Sequence, residues 1–143
     1  MAKPSGRIVL TVSGAIATQN GDGEAAFDRA MLESLDWREI ETYTSFTKGK
    51  QTFAGPTLAS LIEAVKASGD TVRATAINDY AVEFPVSDAA EHDVILAMDH
   101  NGRPMRVRDK GPIWIVYPLG EDASNQMTFD AQMIWQLDRI FIK

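Results

Sequence analysis

Residues 101–118 read NGRPMRVRDKGPIWIVYP. Asn101-Gly102 is a tight-turn pair that leads towards Pro104–Val107. Arg106, Arg108 and Lys110 crowd three cations around the single carboxylate of Asp109. Gly111-Pro112 follows, then the large apolar or aromatic run Ile113–Tyr117, which Pro118 closes. A cationic loop thus precedes a strand that reads as buried. The chain as a whole is acidic, with a formal net charge of −6, so the loop calls for something to face.

The rest of the chain supplies the frame. Its 143 residues and 45% hydrophobic content fit one domain, residues 1–143, with an ordinary core. The acidic balance disfavours nonspecific binding to nucleic acid or to an anionic membrane. No apolar run approaches the roughly 20 residues of a membrane span, so direct membrane insertion is not expected. There are no cysteines, which removes disulfides, thiolate metal ligands, Fe–S clusters and a cysteine nucleophile together. MAKPSG runs straight into a strand-like segment with no signal peptide, and a removed leader would leave the same pattern.

Period and punctuation give the elements. Arg7–Ser13 reads as a strand and Asn20–Gly23 as a turn. Glu24–Leu35 has near-helical spacing, with Asp22 as its cap and Glu24 in its first turn. Ile40–Phe46 alternates as a strand, and Thr47–Gln51 is a polar loop. Gly55-Pro56 opens a second helix with the stripe Leu58, Leu61, Ile62 and Val65, ended by Ser68-Gly69. Thr71–Ile77 and Ala81–Val86 are strands around Asn78-Asp79-Tyr80. Asp93–Met98 and Ile113–Tyr117 are strands, Glu121–Gln126 is a mobile polar loop, and Ile134–Ile142 holds the last strand. The pattern is α+β: mixed sheets with a few short helices.

Two tempting motifs weaken when weighed. Gly21–Ala26 matches G-x-G-x-x-A between a strand and a helical pattern, but Asp22 and Glu24 place negative charge where a pyrophosphate would sit. A capped helix start is the better reading. His92 and His100 have acidic neighbours but no histidine at helical spacing, so no metal site is expected there.

An ordered series of landmarks carries more. Phe53-Ala54-Gly55-Pro56-Thr57-Leu58, Leu61-Ile62, Ala76–Tyr80, Pro85 and Ile95–Ala97 are followed by Asn101–Pro104, Gly111–Trp114, Tyr117-Pro118 and Trp135–Ile142. In this order they resemble the molybdopterin-binding oxidoreductase domain of the sulfite oxidase family over nearly the whole chain. The resemblance implies that family's mixed α+β fold, with loops at one edge of the sheets holding a pterin cofactor. Catalytic members hold molybdenum through one cysteine. Here Thr44 or Ser45 occupies that stretch, and a hydroxyl is a poor replacement for a thiolate. The chain resembles instead the small cysteine-free branch of bacterial proteins that look like exported, periplasmic pterin-binding partners of a membrane sensor.

That resemblance implies a non-catalytic protein binding a pterin or molybdopterin-like heteroaromatic, with no metal. The alternative is a molybdenum-cofactor-dependent oxidoreductase lacking the usual cysteine, and a third reading is an interaction module with a closed pocket. A pterin wants an aromatic or guanidinium plane on its face, a carboxylate on its donor edge, and cations for any acidic tail. Three loops carry these types. Thr44, Ser45 and Phe46 offer hydroxyls and a ring. Asn78, Asp79 and Tyr80 offer an amide, a carboxylate and a ring. Arg108, Asp109, Lys110 and Gly111 offer charge at the Gly-Pro. Each has a plainer role as well: Asp79 as a turn former, Tyr80 and Phe46 as packing residues, the basic loop as a solvated surface. Trp114 is either a ligand platform or second-face core. Trp37 is an interface residue or a core lid, and Trp135 belongs to a structural closing strand.

Overall fold

Alternating residues with one apolar set build most of this molecule. In the computed structural model, which describes residues 1–118 and 129–143, β1 (Ile8–Gly14) buries Leu10 and Val12 and turns Thr11 and Ser13 outwards. Strand β2 (Glu24–Asp28) lies antiparallel to it. Strand β5 (Thr71–Ala76) buries Val72, Ala74 and Ala76, and β6 (Ala81–Pro85) pairs with it through the Asn78–Tyr80 turn. The last strand, β11 (Leu137–Ile142), fills the gap between these two pairs. It runs parallel to β1, with Thr11 opposite Arg139, and antiparallel to β5. A register shift between Leu137 and Arg139 lets Leu137, Ile140 and Ile142 all face the core although their spacing breaks strict alternation. The sheet order is β2-β1-β11-β5-β6.

Two smaller sheets pack on the other side of the core. Strands β3 (Trp37–Thr42), β4 (Gln51–Pro56), β8 (Asp99–His100) and β9 (Arg103–Pro104) form one. Strands β7 (Ile95–Ala97) and β10 (Trp114–Val116) form the other. A Cβ on Gly55 would stand 1.9 Å from the Leu96 carbonyl oxygen, so β4 crosses β7 at a distance that only glycine permits. Helix α2 (Leu58–Ala64) begins at Thr57, whose side-chain oxygen accepts from Ser60 N at 3.1 Å. It buries Leu58 and Leu61 and ends at the Val65 cap. The buried apolar residues of all three sheets and both longer helices join in one hydrophobic cluster, with Trp114, Tyr117, Phe27 and Phe53 among its largest members. Among the described residues no helix is long and apolar enough to cross a membrane.

Several expectations change. The span 24–35 is not one helix: residues 24–28 pair with β1, and α1 covers only Arg29–Glu33. Ala25, Ala26 and Phe27 are buried through sheet pairing, which overrides their helix-like spacing. The cap is Asp28, whose carboxylate accepts from Met31 N at 2.8 Å, and not Asp22. Gly21–Ala26 therefore passes from a turn into a strand. Pro56 ends β4 opposite Trp37 instead of starting α2. The strand expected at 40–46 is shifted to 37–42, leaving Thr44–Phe46 in a turn. A short helix, α3 (Asp88–Glu91), was not expected. The polar stretch Glu121–Gln126 lies outside the described residues.

Candidate functional site

At one end of the large sheet, three irregular segments meet. The first is the turn after β3. Thr44 is buried, its hydroxyl lies 2.8 Å from that of Thr47, and it accepts from Phe46 N at 3.1 Å. These contacts close the turn and direct Phe46 inwards, while Ser45 is exposed. The second is the β5–β6 turn, where Asn78 Oδ1 accepts from Tyr80 N at 3.1 Å and Asp79 takes a left-handed φ of 71°. The third is the approach to β11, beginning with a single 3-10 turn at Asp130–Gln132 and ending at Trp135-Gln136.

Together they enclose a cavity of about 320 Å³. Phe46, Tyr80 and Trp135 supply aromatic walls, Met133 and Ile134 apolar floor, and Asn78 and Asp130 polar groups. This volume is at the lower end of the range for small-molecule sites, about 300–1,000 Å³. The rings of Phe46 and Trp135 meet edge to face, with centroids 5.1 Å apart. Asp130 Oδ1 is buried and receives no hydrogen bond among the described residues. A buried carboxylate oxygen without a donor is rare and costly.

The basic loop borders this cavity. Residues Val107–Asp109 form a 3-10 turn and Lys110 follows with φ 80°. Lys110 Nζ lies 5.3 Å from the Trp135 ring centroid and 5.6 Å from that of Trp114, within cation–π range of both. Gln136 ties the parts together. Its backbone N–H donates to Lys110 O at 2.9 Å, its side chain to Val107 O at 2.7 Å, and its carbonyl accepts from Ile77 N at 2.9 Å. Arg106 bonds Asp109 at 2.9 Å and holds its carboxyl below the usual carboxylate range. Burial pushes the His100 imidazole down, and the charge of Lys110 adds to this. Gly111 N donates back to Arg106 O at 2.8 Å, and a Cβ there would lie 2.1 Å from Met105 O, so the loop closes only over glycine.

Of the residues singled out in the sequence, Phe46, Asn78 and Tyr80 share the cavity wall, and Lys110 joins them through Trp135. Asp79 instead faces the outer side of the large sheet, where it pairs with Arg139. Thr44 is taken up by its turn, Ser45 and Arg108 are exposed, and Asp109 is paired within its loop. Trp114 is fully buried, donates Nε1–H to Met133 O at 3.0 Å, and packs edge-on against Phe53. Sequence reasoning missed Asp130 altogether and placed Trp135 in a closing strand, whereas it stands before β11 and is 38% exposed. A tryptophan just ahead of the last apolar strand was the signal in the sequence.

The comparisons with known proteins bear on this architecture. Residues 24–121 match the family described as the oxidoreductase molybdopterin binding domain. The chain belongs to that family. No curated protein matches it. Among solved structures it resembles the sulfane dehydrogenase SoxCD from Paracoccus pantotrophus, with a TM-score of 0.69 at 17% sequence identity. The match covers 93% of this chain and 37% of the SoxCD chain, so this chain corresponds to little more than a third of that protein. The likeness shows the fold, which is the one the landmark series implied.

Family membership raises the question of what the present residues fit. The aromatic walls suit a flat heteroaromatic ring, and Asn78 and Asp130 bring polar residues to the lining. They do not suit a metal held by a thiolate, because the chain has no cysteine. The two hydroxyls nearest the expected ligand position do not compensate. That of Thr44 is engaged with Thr47 and Phe46, and Ser45 faces solvent.

Proposed function

We propose that this member of the oxidoreductase molybdopterin binding domain family is a non-catalytic pterin-binding protein. The observation that carries this reading is the aromatic-walled cavity in a chain without a cysteine. Phe46, Tyr80 and Trp135 would hold the ring, and Asn78 and Asp130 would meet its edge. Lys110, fixed over Trp135, would offer positive charge to an acidic substituent. The bound ring would bring redox chemistry, as oxidised and reduced forms of one heterocycle. The protein's part is to bind it, orient it and shield one face from water.

A partner completes the reading. Ile77, Tyr80, Val107 and Trp135 are four of the exposed large apolar residues, and Gln136 links their segments around the cavity mouth. A ligand seated there would change this surface. We propose that the surface serves a membrane signalling protein and that the domain works in the periplasm. Titration calorimetry and pterin fluorescence with oxidised and reduced pterins test the binding. Saturable binding that is lost in Trp135→Ala is expected, and no heat or fluorescence change at high micromolar protein would sink the proposal.

The family's oxidoreductase character favours one second reading, a molybdenum-cofactor enzyme with an oxygen ligand in place of sulfur. Protein purified from a cofactor-competent host and carrying stoichiometric molybdenum would establish it in place of the first.

A further inference from the structure

We infer that the segment 103–110 docks an acidic stretch of a partner protein, one whose carboxylates flank an apolar side chain. The inference deepens the partner half of the reading above and stands whether or not the cavity holds a pterin. Charge is spread unevenly along the chain. Residues 103–110 set Arg103, Arg106, Arg108 and Lys110 against Asp109 alone, a net charge of +3. The other residues hold 10 of the 14 cations and 19 of the 20 carboxylates, a net charge of −9 that leaves −6 for the whole. Arg106 is paired with Asp109, and Lys110 lies over the Trp114 and Trp135 rings. Arg103 and Arg108 are exposed and make no ion pair among the described residues.

These cations stand on a braced backbone. Asp109 N and Gly111 N both donate to Arg106 O at 2.8 Å. Gln136 donates its side chain to Val107 O at 2.7 Å and its N–H to Lys110 O at 2.9 Å. The bonds close the 3-10 turn Val107–Asp109 and leave its side chains outside. Val107, between Arg106 and Arg108, is 50% exposed. An apolar tip between cations on a preorganised turn fits a segment of the opposite pattern, and docking there orders little that was free. A lipid surface fits less well. The Debye length is about 8 Å at physiological salt, so a bilayer pressed against the turn also meets charge from the acidic remainder of the protein. A narrow acidic segment meets the turn alone.

Fluorescence polarisation of the intact protein with a fluorescein-labelled peptide, a pair of leucines between runs of glutamate, tests this. A second peptide carries glutamine for every glutamate. The acidic peptide is expected to bind at least about fivefold more tightly than the second, and to weaken as salt is added. Arg108→Glu exchanges attraction for repulsion and should weaken it at least about fivefold. Lys66→Glu, an exposed reversal elsewhere on the surface, should leave it within about twofold. Val107→Ser should cost about threefold through lost apolar contact. Equal binding of the two peptides, or no binding of either, overturns the inference. So does an affinity unchanged in folded Arg108→Glu, checked by its urea midpoint; the two peptides on wild-type protein decide if that variant does not fold. Binding to phosphatidylglycerol vesicles that needs Arg108, without peptide binding, assigns the turn to a lipid surface and overturns it as well. Pterin titration of the same samples separates the readings. Pterin bound and the acidic peptide ignored removes only the docking; the reverse leaves the docking and removes the pterin.

Discussion

Tyr117 is fully buried, and its hydroxyl donates to Asp88 Oδ2 at 2.8 Å. Its ring stacks on Phe129, with centroids 4.7 Å apart. Tyr117→Phe keeps the ring and strands a buried carboxylate oxygen, so a loss of about 1–3 kcal/mol is expected in urea unfolding at pH 7. Burial, reinforced by Asp88, pushes the Tyr117 phenol above its ordinary range. A raised phenol pKa contributes stability that is present below about pH 10 and lost as pH rises further. The variant should therefore show a shallower alkaline loss than the wild type. The residue scale is also where sequence reading was least complete. Phe46, Asn78 and Tyr80 could be picked out by type, because loops between strands that carry rings and amides are few. Asp130 could not, since only the fold brings its 3-10 turn to the cavity. Asp79 looked equivalent to its neighbours until its left-handed backbone turned it towards Arg139.

Elements respond to what covers them more than to their own propensity. Strand β2 and helix α1 share a stretch whose spacing looked wholly helical, and pairing with β1 claimed the first part. Asp28 stands at the junction. Its carboxylate accepts from Met31 N at 2.8 Å, Gly6 N at 2.9 Å and Ser5 N at 3.1 Å, so one side chain both caps α1 and anchors the segment before β1. These N–H groups, Met31 first, hold its pKa below the ordinary value. A depressed carboxylate pKa adds stability above about pH 3.9 that is lost as pH falls through the folded value. Asp28→Asn should be less stable at neutral pH and show a flatter acid limb, measured as urea midpoints between pH 7 and pH 2. The β4–β7 crossing is stricter. Gly55→Ala drives a Cβ into the Leu96 carbonyl, and a loss of at least about 3 kcal/mol or failure to fold is expected. The sequence marked Gly55 as a landmark, but the strand it must pass was visible only in three dimensions.

For the molecule as a whole, the landmark series was legible because it is a series. Gly55, the Asn101-Gly102 turn and the Gly111-Pro112 corner each sit at a place where backbones approach or reverse, and their order reports the path of the chain. The cavity was not legible as a unit, since its walls come from residues 46, 76–80 and 130–136, which the fold alone brings together. Ligand binding should feed back on global stability. A ligand that binds only the folded protein adds about 2.7 kcal/mol at a hundredfold excess over its Kd. Thermal unfolding with increasing pterin should show a midpoint that climbs with the logarithm of its concentration. A midpoint independent of pterin would contradict binding at this site.

The middle of the large sheet carries one more consequence. Strand β11 lies between β1 and β5, yet it follows every other strand in order along the chain. A ribosome releases the N-terminal segments first, so β1–β2 and β5–β6 emerge as two pairs with nothing between them. Each then exposes an unpaired backbone edge that invites wrong partners. Joining β1 to β11 also closes nearly the longest loop the chain can make, a slow step in folding. The five-stranded sheet is therefore complete only once residues 137–142 are free to pair with both β1 and β5.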